Sequence, residues 1–225
     1  MEKRLAVLNF ISVILIIAVS YISQTGIING NTMGSLSAEY YNLFTPAGYA
    51  FAIWGIIFLS LLGFSGYQLF QAFSAKNDLE FLKNSGYWFL TANLANAAWV
   101  IFWLYEFTGV SVLLMFLILF SLIKIILKTN MERRDAPLKI LAFSWWPICL
   151  YSGWIAVASI ANVSAYLSKI GWRAPFFGEE IWTVIIIAVA VFLNIAMIWR
   201  RNMREFAAVG VWALIAIYFR HFGEI

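Results

Sequence analysis

The stretch YSGWIAVASIAN, residues 151–162, decides how this chain folds. It is an apolar run of the kind that crosses a membrane. Yet Trp154, Ala158 and Asn162 recur every four residues and therefore share one face of a helix. A helix face turned toward lipid needs only aliphatic side chains and phenylalanine. An indole, a methyl group and a carboxamide on one face predict that this helix looks into a helical bundle, where the face lines a pocket.

The composition of the 225-residue chain is that of a membrane protein. Hydrophobic residues make up 63% of the chain and charged residues 12%, whereas soluble domains carry about 25% charged residues. Charged residues separate long apolar runs, each near the roughly 20 residues that a helix needs to cross a bilayer. We predict an all-α, polytopic membrane helical bundle. Its seven spans are expected at about 5–22, 47–72, 86–104, 110–128, 146–167, 181–199 and 206–220.

Lysine and arginine are distributed unequally between the two sides of this predicted bundle. Three of them fall on one side: Lys169, Arg173 and Arg220. Twelve fall on the other: Lys3, Arg4, Lys76, Lys83, Lys124, Lys128, Arg133, Arg134, Lys139, Arg200, Arg201 and Arg204. The positive-inside rule then predicts a cytoplasmic N-terminus in a plasma (inner) membrane. The net charge of +4 reflects this topology, and we expect no nucleic-acid partner.

The first apolar run has a second interpretation. Lys3 and Arg4 resemble the positively charged start of a signal peptide, and Ala18-Val-Ser20 resembles a small-residue cleavage site. Cleavage after this run would leave a bundle of six spans.

Residues for catalysis or metal binding are scarce in this sequence. The single cysteine, Cys149, cannot form an internal disulfide and is interpreted as a small core residue. The single histidine, His221, lies near the C-terminus, which argues against histidine metal clusters and a serine triad within the bundle. The middles of the spans lack ionisable residues, which disfavours a proton-coupled transporter. We expect no catalytic residue, no metal site and no required cofactor.

Aromatic and amide side chains on three predicted helices suggest one shared pocket. A buried indole needs a hydrogen-bond partner, so tryptophans deep in a span favour the bundle interior over lipid. Asparagines there orient a ligand or, alternatively, join helices to one another. The loop at about residues 23–45, without lysine or arginine, is expected to form a lid over this pocket. The candidate ligand-binding residues are Phe51, Trp54, Asn96, Trp99, Trp154, Ala158 and Asn162.

These patterns resemble the tryptophan-rich sensory protein family (TspO/MBR), which includes the mitochondrial translocator protein. The fifth-helix pattern of that family is matched in spacing by Tyr151, Trp154, Ala156, Ala158 and Asn162. Its third-helix pattern appears as residues 95–99, and its second-helix start resembles residues 45–51. The proline that normally precedes the fifth-helix tyrosine is displaced to position 147.

The resemblance implies a five-helix unit, here residues 1–168, followed by a two-helix membrane extension at residues 169–225. It also implies a pocket for porphyrins, haem or sterol-like molecules, and a homodimer. The function expected first is a membrane receptor or sensor that binds a tetrapyrrole. A carrier for such ligands and a light-dependent porphyrin-degrading enzyme stay open as alternatives, because all three use the same aromatic pocket.

Overall fold

The computed structural model describes residues 2–74, 79–133, 135–172, 174–176 and 178–222. Lys76, Arg134 and Arg173, which contribute to the predicted charge asymmetry, lie outside these residues. Where the chain is described, it is helical and contains no strand. The helices are α1 (Glu2–Ile22), α2 (Met33–Glu39), α3 (Ile53–Phe73), α4 (Glu80–Ser85), α5 (Trp88–Leu104), α6 (Thr108–Thr129), α7 (Leu138–Ile140), α8 (Trp146–Lys169), α9 (Gly178–Arg201) and α10 (Arg204–His221).

A helix forms at each of the seven predicted spans, so the all-α membrane bundle is confirmed. Within the described ranges, five helical segments are long and apolar enough to cross a bilayer: Glu2–Ile22, Gly48–Phe73, Thr108–Thr129, Leu138–Lys169 and Gly178–Arg201. The apolar helix α5 is shorter, with 17 residues. Helix α10 has 18 residues and carries charged groups in its first and last turns. At about 1.5 Å per residue these two helices reach roughly 25–27 Å, close to the roughly 30 Å of a bilayer core.

Two prolines determine how the pocket helices begin. Pro46 precedes a 3-10 turn, Gly48–Ala52, which leads directly into α3. Pro147 lies in the first turn of α8 and is preceded by a π-helical turn, Leu141–Trp145. Proline has no amide hydrogen and its ring crowds the carbonyl four residues earlier, so the preceding turn widens. The displaced proline therefore leaves α8 regular from Trp146 onward.

Helix α8 lies at the centre of the bundle. It packs against α6 on one side and α10 on another, and it also contacts α3. Helices α5 and α6 form the most extensive pair, and α1 packs on both α3 and α5. Helix α9 lies at the periphery: of its residues, all of which are described, only Ala190 is buried. The core thus surrounds α8, the helix that carries Trp154, Ala158 and Asn162 on one face.

Buried polar side chains tie α1 into the bundle. The side-chain amide of Asn9 donates a hydrogen bond to Gln68 Oε1 on α3 at 3.2 Å. The amide of Asn93 on α5 donates to the Ser12 hydroxyl at 2.9 Å. All four residues are buried, so α1 packs as an integral helix of this fold.

Candidate functional site

A cavity lies between α3, α5, α8 and α10, beneath the segment that contains α2. Its empty volume is about 660 Å³, the open solvent at its mouth included, and only a small part of that space is wide enough for a water molecule. Six of the seven predicted residues line it: Phe51, Trp54, Trp99, Trp154, Ala158 and Asn162. Among the described residues, no charged side chain lines this space. The cavity is therefore a narrow, apolar slot.

One wall of the slot is a cluster of aromatic rings. Phe51 and Trp54 each meet the Trp154 indole edge to face, with ring centroids 6.2 and 6.3 Å apart. Trp54 also stacks on Phe58 at 5.1 Å and contacts the Tyr151 ring at 6.1 Å. Such geometries are the favoured ones for aromatic pairs. Trp54 is thus held between rings of two helices.

A hydrogen-bond network at Asn162 joins three helices beside the cavity. The Trp99 indole N–H donates to Asn162 Oδ1 at 2.7 Å, and Asn162 Nδ2 donates to the Ser111 hydroxyl at 2.9 Å. The Ser111 hydroxyl also reaches Asn162 Oδ1 at 3.3 Å and the Thr108 carbonyl at 2.7 Å. The carboxamide of Asn162 therefore binds α5 and α6 to α8, which is the joining role that asparagine has in membrane helices.

Asn96 is the one predicted residue that the structure places away from the cavity. It is fully buried, and its Nδ2 donates to the Tyr151 hydroxyl at 2.8 Å. Tyr151 in turn packs against Trp54. Asn96 therefore positions a ring behind the aromatic wall, and it does not face the slot.

Several lining residues were missing from the sequence prediction. Trp103 lines the cavity, and its indole N–H is buried without a hydrogen-bond partner among the described residues. Ala161 and Ala165 extend the α8 face of Ala158 by one and two turns, so helical periodicity contained the signal for them. Ile217 comes from α10, and no sequence pattern pointed to it.

The predicted lid is an ordered segment with its own helix. Helix α2 begins with a capping box between Thr32 and Ser35 and buries the side chains of Met33 and Leu36. Phe44 is also buried. Met33 and Phe44 line the cavity, as do the polar side chains of Ser37, Asn42 and Thr45. The loop thus supplies both a cover and much of the polarity of the slot.

The turn between α5 and α6 fastens this lid through Glu106. The Tyr40 hydroxyl donates to Glu106 Oε2 at 2.5 Å, and Asn31 Nδ2 donates to Glu106 Oε1 at 3.4 Å. Lys169 Nζ lies 3.7 Å from the same carboxylate. The Tyr40 hydrogen bond and the positive charge of Lys169 lower the pKa of the Glu106 carboxyl. Burial and the Glu106 carboxylate raise the pKa of Tyr40.

Helix α10 holds the lid from the opposite side. The Ala47 amide donates to the Ala216 carbonyl at 3.0 Å, and the Trp212 indole donates to the Ala50 carbonyl at 3.1 Å. A ring nitrogen of His221 lies 3.1 Å from the carbonyl oxygen of Leu43. The predicted C-terminal extension is therefore part of the wall and of the lid support.

A second space lies next to the first. It lies between the end of α1 and the start of α3, with an empty volume of about 990 Å³ including open solvent. Four residues line both spaces: Met33, Phe51, Trp54 and Trp99. Their side chains form the partition between the slot and the side of the bundle.

Comparison with protein families gives one result for this chain. The model of a family described as TSPO-like protein matches residues 6–224. The match runs past residue 168, where the resemblance to the five-helix unit ends, and takes in both α9 and α10. Comparisons with characterised proteins and with solved structures return no match. The chain belongs to the family of TSPO-like proteins.

Proposed function

We propose that this membrane protein is a receptor or sensor for a flat hydrophobic ligand, with a tetrapyrrole such as a porphyrin or haem as the leading candidate. One observation carries the proposal: the indoles of Trp54, Trp99 and Trp154 border a single narrow slot together with the small side chain of Ala158. Ring faces and edges favour a planar aromatic partner, and a methyl group leaves room for it. Much of the roughly 660 Å³ is open solvent at the mouth or too narrow for a water molecule, so a macrocycle would bind only when the lid or the lining side chains move apart.

The charge distribution supports an orientation for such a ligand. The apolar macrocycle would lie in the slot, since no charged side chain among the described residues lines it. Acidic substituents would remain at the lid, where Lys169 lies over the Tyr40 ring and Arg220 over the Tyr41 ring. Trp103 offers its unpartnered N–H as a donor to a ligand oxygen.

Three further features follow from the sequence and stay predictions. The charge asymmetry supports a cytoplasmic N-terminus in a plasma (inner) membrane. The resemblance to the TspO/MBR family supports a homodimer, and the exposed apolar side chains of α9 offer a surface for the dimer interface. The division into a five-helix domain (1–168) and an extension (169–225) is a further proposal, although α10 shares the cavity wall.

A protoporphyrin IX titration of the purified protein, followed by quenching of tryptophan fluorescence, tests the ligand proposal. We expect saturable micromolar binding that Ala158→Leu weakens at least tenfold, because the longer side chain fills the slot. Trp154→Phe should also weaken binding, since it removes part of the aromatic wall. Ala156→Leu is the matched control, because Ala156 lies on the same helix but does not line the cavity. Absent binding, or equal binding in all variants, would contradict the proposal.

Two alternative activities give different readouts with the same protein. Net movement of protoporphyrin IX into proteoliposomes would identify a carrier. Loss of bound porphyrin under illumination, with formation of a product, would identify an enzyme. A receptor binds the ligand and does neither.

A further inference from the structure

Three potential metal ligands meet at the end of the bundle opposite the lid. Glu132 follows α6, Cys149 lies in the first turn of α8, and Glu205 lies in the first turn of α10. One ligand atom from each, a carboxylate oxygen or the thiol sulfur, lies within 4.8 Å of the other two. These residues are 17 to 73 positions apart in the sequence, so no local spacing motif predicts the cluster.

One carboxylate oxygen of each glutamate lacks a hydrogen-bond partner among the described residues. Glu132 Oε1 and Glu205 Oε2 are buried and accept no hydrogen bond from any described residue. The Cys149 side chain is fully buried, and its sulfur makes no hydrogen bond within the described part of the chain. Burial without a partner is costly for a carboxylate. A cation between the two oxygens and the thiol sulfur, which all lie within 4.8 Å of one another, would supply the missing partner.

We propose that the Cys149 thiolate and the carboxylates of Glu132 and Glu205 bind a divalent transition-metal ion of the Zn²⁺ type. Sulfur and carboxylate oxygen are both established zinc ligands, at about 2.3 Å and 2.0–2.2 Å from the ion. Tetrahedral angles at these lengths place the ligand atoms about 3.4–3.6 Å apart. Since these atoms now lie within 4.8 Å of one another, the side chains would close by at most about 1.4 Å on binding.

The surface position of Glu132 and the charges around the cluster are compatible with a bound divalent ion. Glu132, the one member of the cluster that does so, lines a depression on the surface together with Arg133 and Asp135. Binding releases the thiol proton to solvent, leaving a thiolate and two carboxylates around the ion. The resulting net charge of minus one lies beside Arg204, which already acts electrostatically on Glu132.

Such an ion would join three separate elements of the fold. The loop after α6, the start of α8 and the start of α10 have no covalent cross-link to one another, since the chain has one cysteine. Helix α8 carries the slot and α10 supports the lid. The inference does not depend on the porphyrin proposal, because the two sites share no residue.

Cobalt titration of the purified, untagged protein in detergent tests the site directly. Co²⁺ bound to thiolate gives an intense near-ultraviolet charge-transfer absorption. Because Cys149 is the only cysteine, such a band reports on this site alone. We expect a saturable band that excess Zn²⁺ abolishes and that is lost in Cys149→Ser. Glu132→Gln and Glu205→Gln should each weaken Co²⁺ binding at least tenfold. Asp135→Asn is the matched control, since its carboxylate lines the same depression outside the cluster.

Two results would overturn the inference. The first is the absence of a thiolate band in the wild-type protein at 1 mM Co²⁺, which would mean that a shared proton compensates the carboxylates. The second is a band that persists unweakened when either glutamate is replaced. If a variant fails to fold, thermal unfolding of the wild-type protein still tests the metal site. Zn²⁺ should raise its thermal unfolding midpoint, and an equal concentration of Mg²⁺, which disfavours thiolate ligands, should not.

Discussion

Replacing Asn162 with alanine should destabilise the bundle through one identifiable hydrogen bond. The Trp99 N–H, which donates to Asn162 Oδ1 at 2.7 Å, would lose its acceptor in a buried position. An unsatisfied buried donor costs about 1–3 kcal/mol. The substitution costs less at Ser111, because the Ser111 hydroxyl still donates a hydrogen bond to the Thr108 carbonyl at 2.7 Å. We therefore expect the free energy of unfolding to fall by about 1–3 kcal/mol.

A double-mutant cycle with Trp99→Phe isolates the bond from the other effects of the substitution. Phenylalanine keeps an aromatic ring but removes the N–H, so the coupling energy between positions 99 and 162 reports on the hydrogen bond. Hydrogen bonds between membrane helices average about 0.6 kcal/mol and reach about 1.7, and this short bond should fall in the upper half of that range. The measurement is reversible unfolding in mixed micelles, followed by circular dichroism.

The control cycle pairs Asn162→Ala with Trp103→Phe. The Trp103 ring stacks near Trp99 with centroids 6.4 Å apart, but its N–H has no partner among the described residues. These two substitutions should couple more weakly than the Trp99 pair, because no hydrogen bond joins Trp103 to Asn162. Equal or weaker coupling in the Trp99 cycle would refute the assignment of Asn162 as the residue that joins α5 to α8.

Two further predictions concern the packing of α10 and the fastening of the lid. Gly153→Ala places a Cβ atom 2.7 Å from the Phe206 carbonyl oxygen. It should lower the unfolding free energy by about 1–3 kcal/mol, whereas Gly66→Ala, with no neighbouring atom within 4 Å, should not lower it. The second prediction is that acid loosens the lid. The Tyr40 hydrogen bond lowers the pKa of Glu106, so its contribution is present above the ordinary carboxyl pKa and disappears as pH falls through the lowered value. The protection factors of the α2 amides, which correct for the slower intrinsic exchange in acid, should therefore fall at acidic pH in the wild type, and Glu106→Gln should abolish that acid dependence.

The sequence predicted most of the helices because bilayer thickness dictates the length of an apolar run. It also predicted the α8 face, since residues four apart necessarily lie on one side of a helix. Asn96 shows the limit of such spacing. It lies three residues before Trp99, and three residues correspond to a rotation of about 60° around the helix axis. That rotation is enough to turn the Asn96 side chain from the slot toward Tyr151.

Other features depend on tertiary contacts that no local pattern encodes. Helix α2 has seven residues, too few for a periodic signal, and it is held by side chains of distant segments. Ile217 reaches the cavity because α10 packs closely against α8 at Gly153. Cys149 seemed an isolated core residue until folding brought two glutamates to it.

The space between α1 and α3 has a consequence for how ligand affinity must be expressed. If the proposed ligand enters from the bilayer through this space, it meets the side chains of Met33, Phe51, Trp54 and Trp99, which border both this space and the slot. The concentration that governs occupancy is then the mole fraction of ligand in the bilayer. Adding lipid at constant total ligand should dilute the molecule and lower occupancy, even though the protein is unchanged.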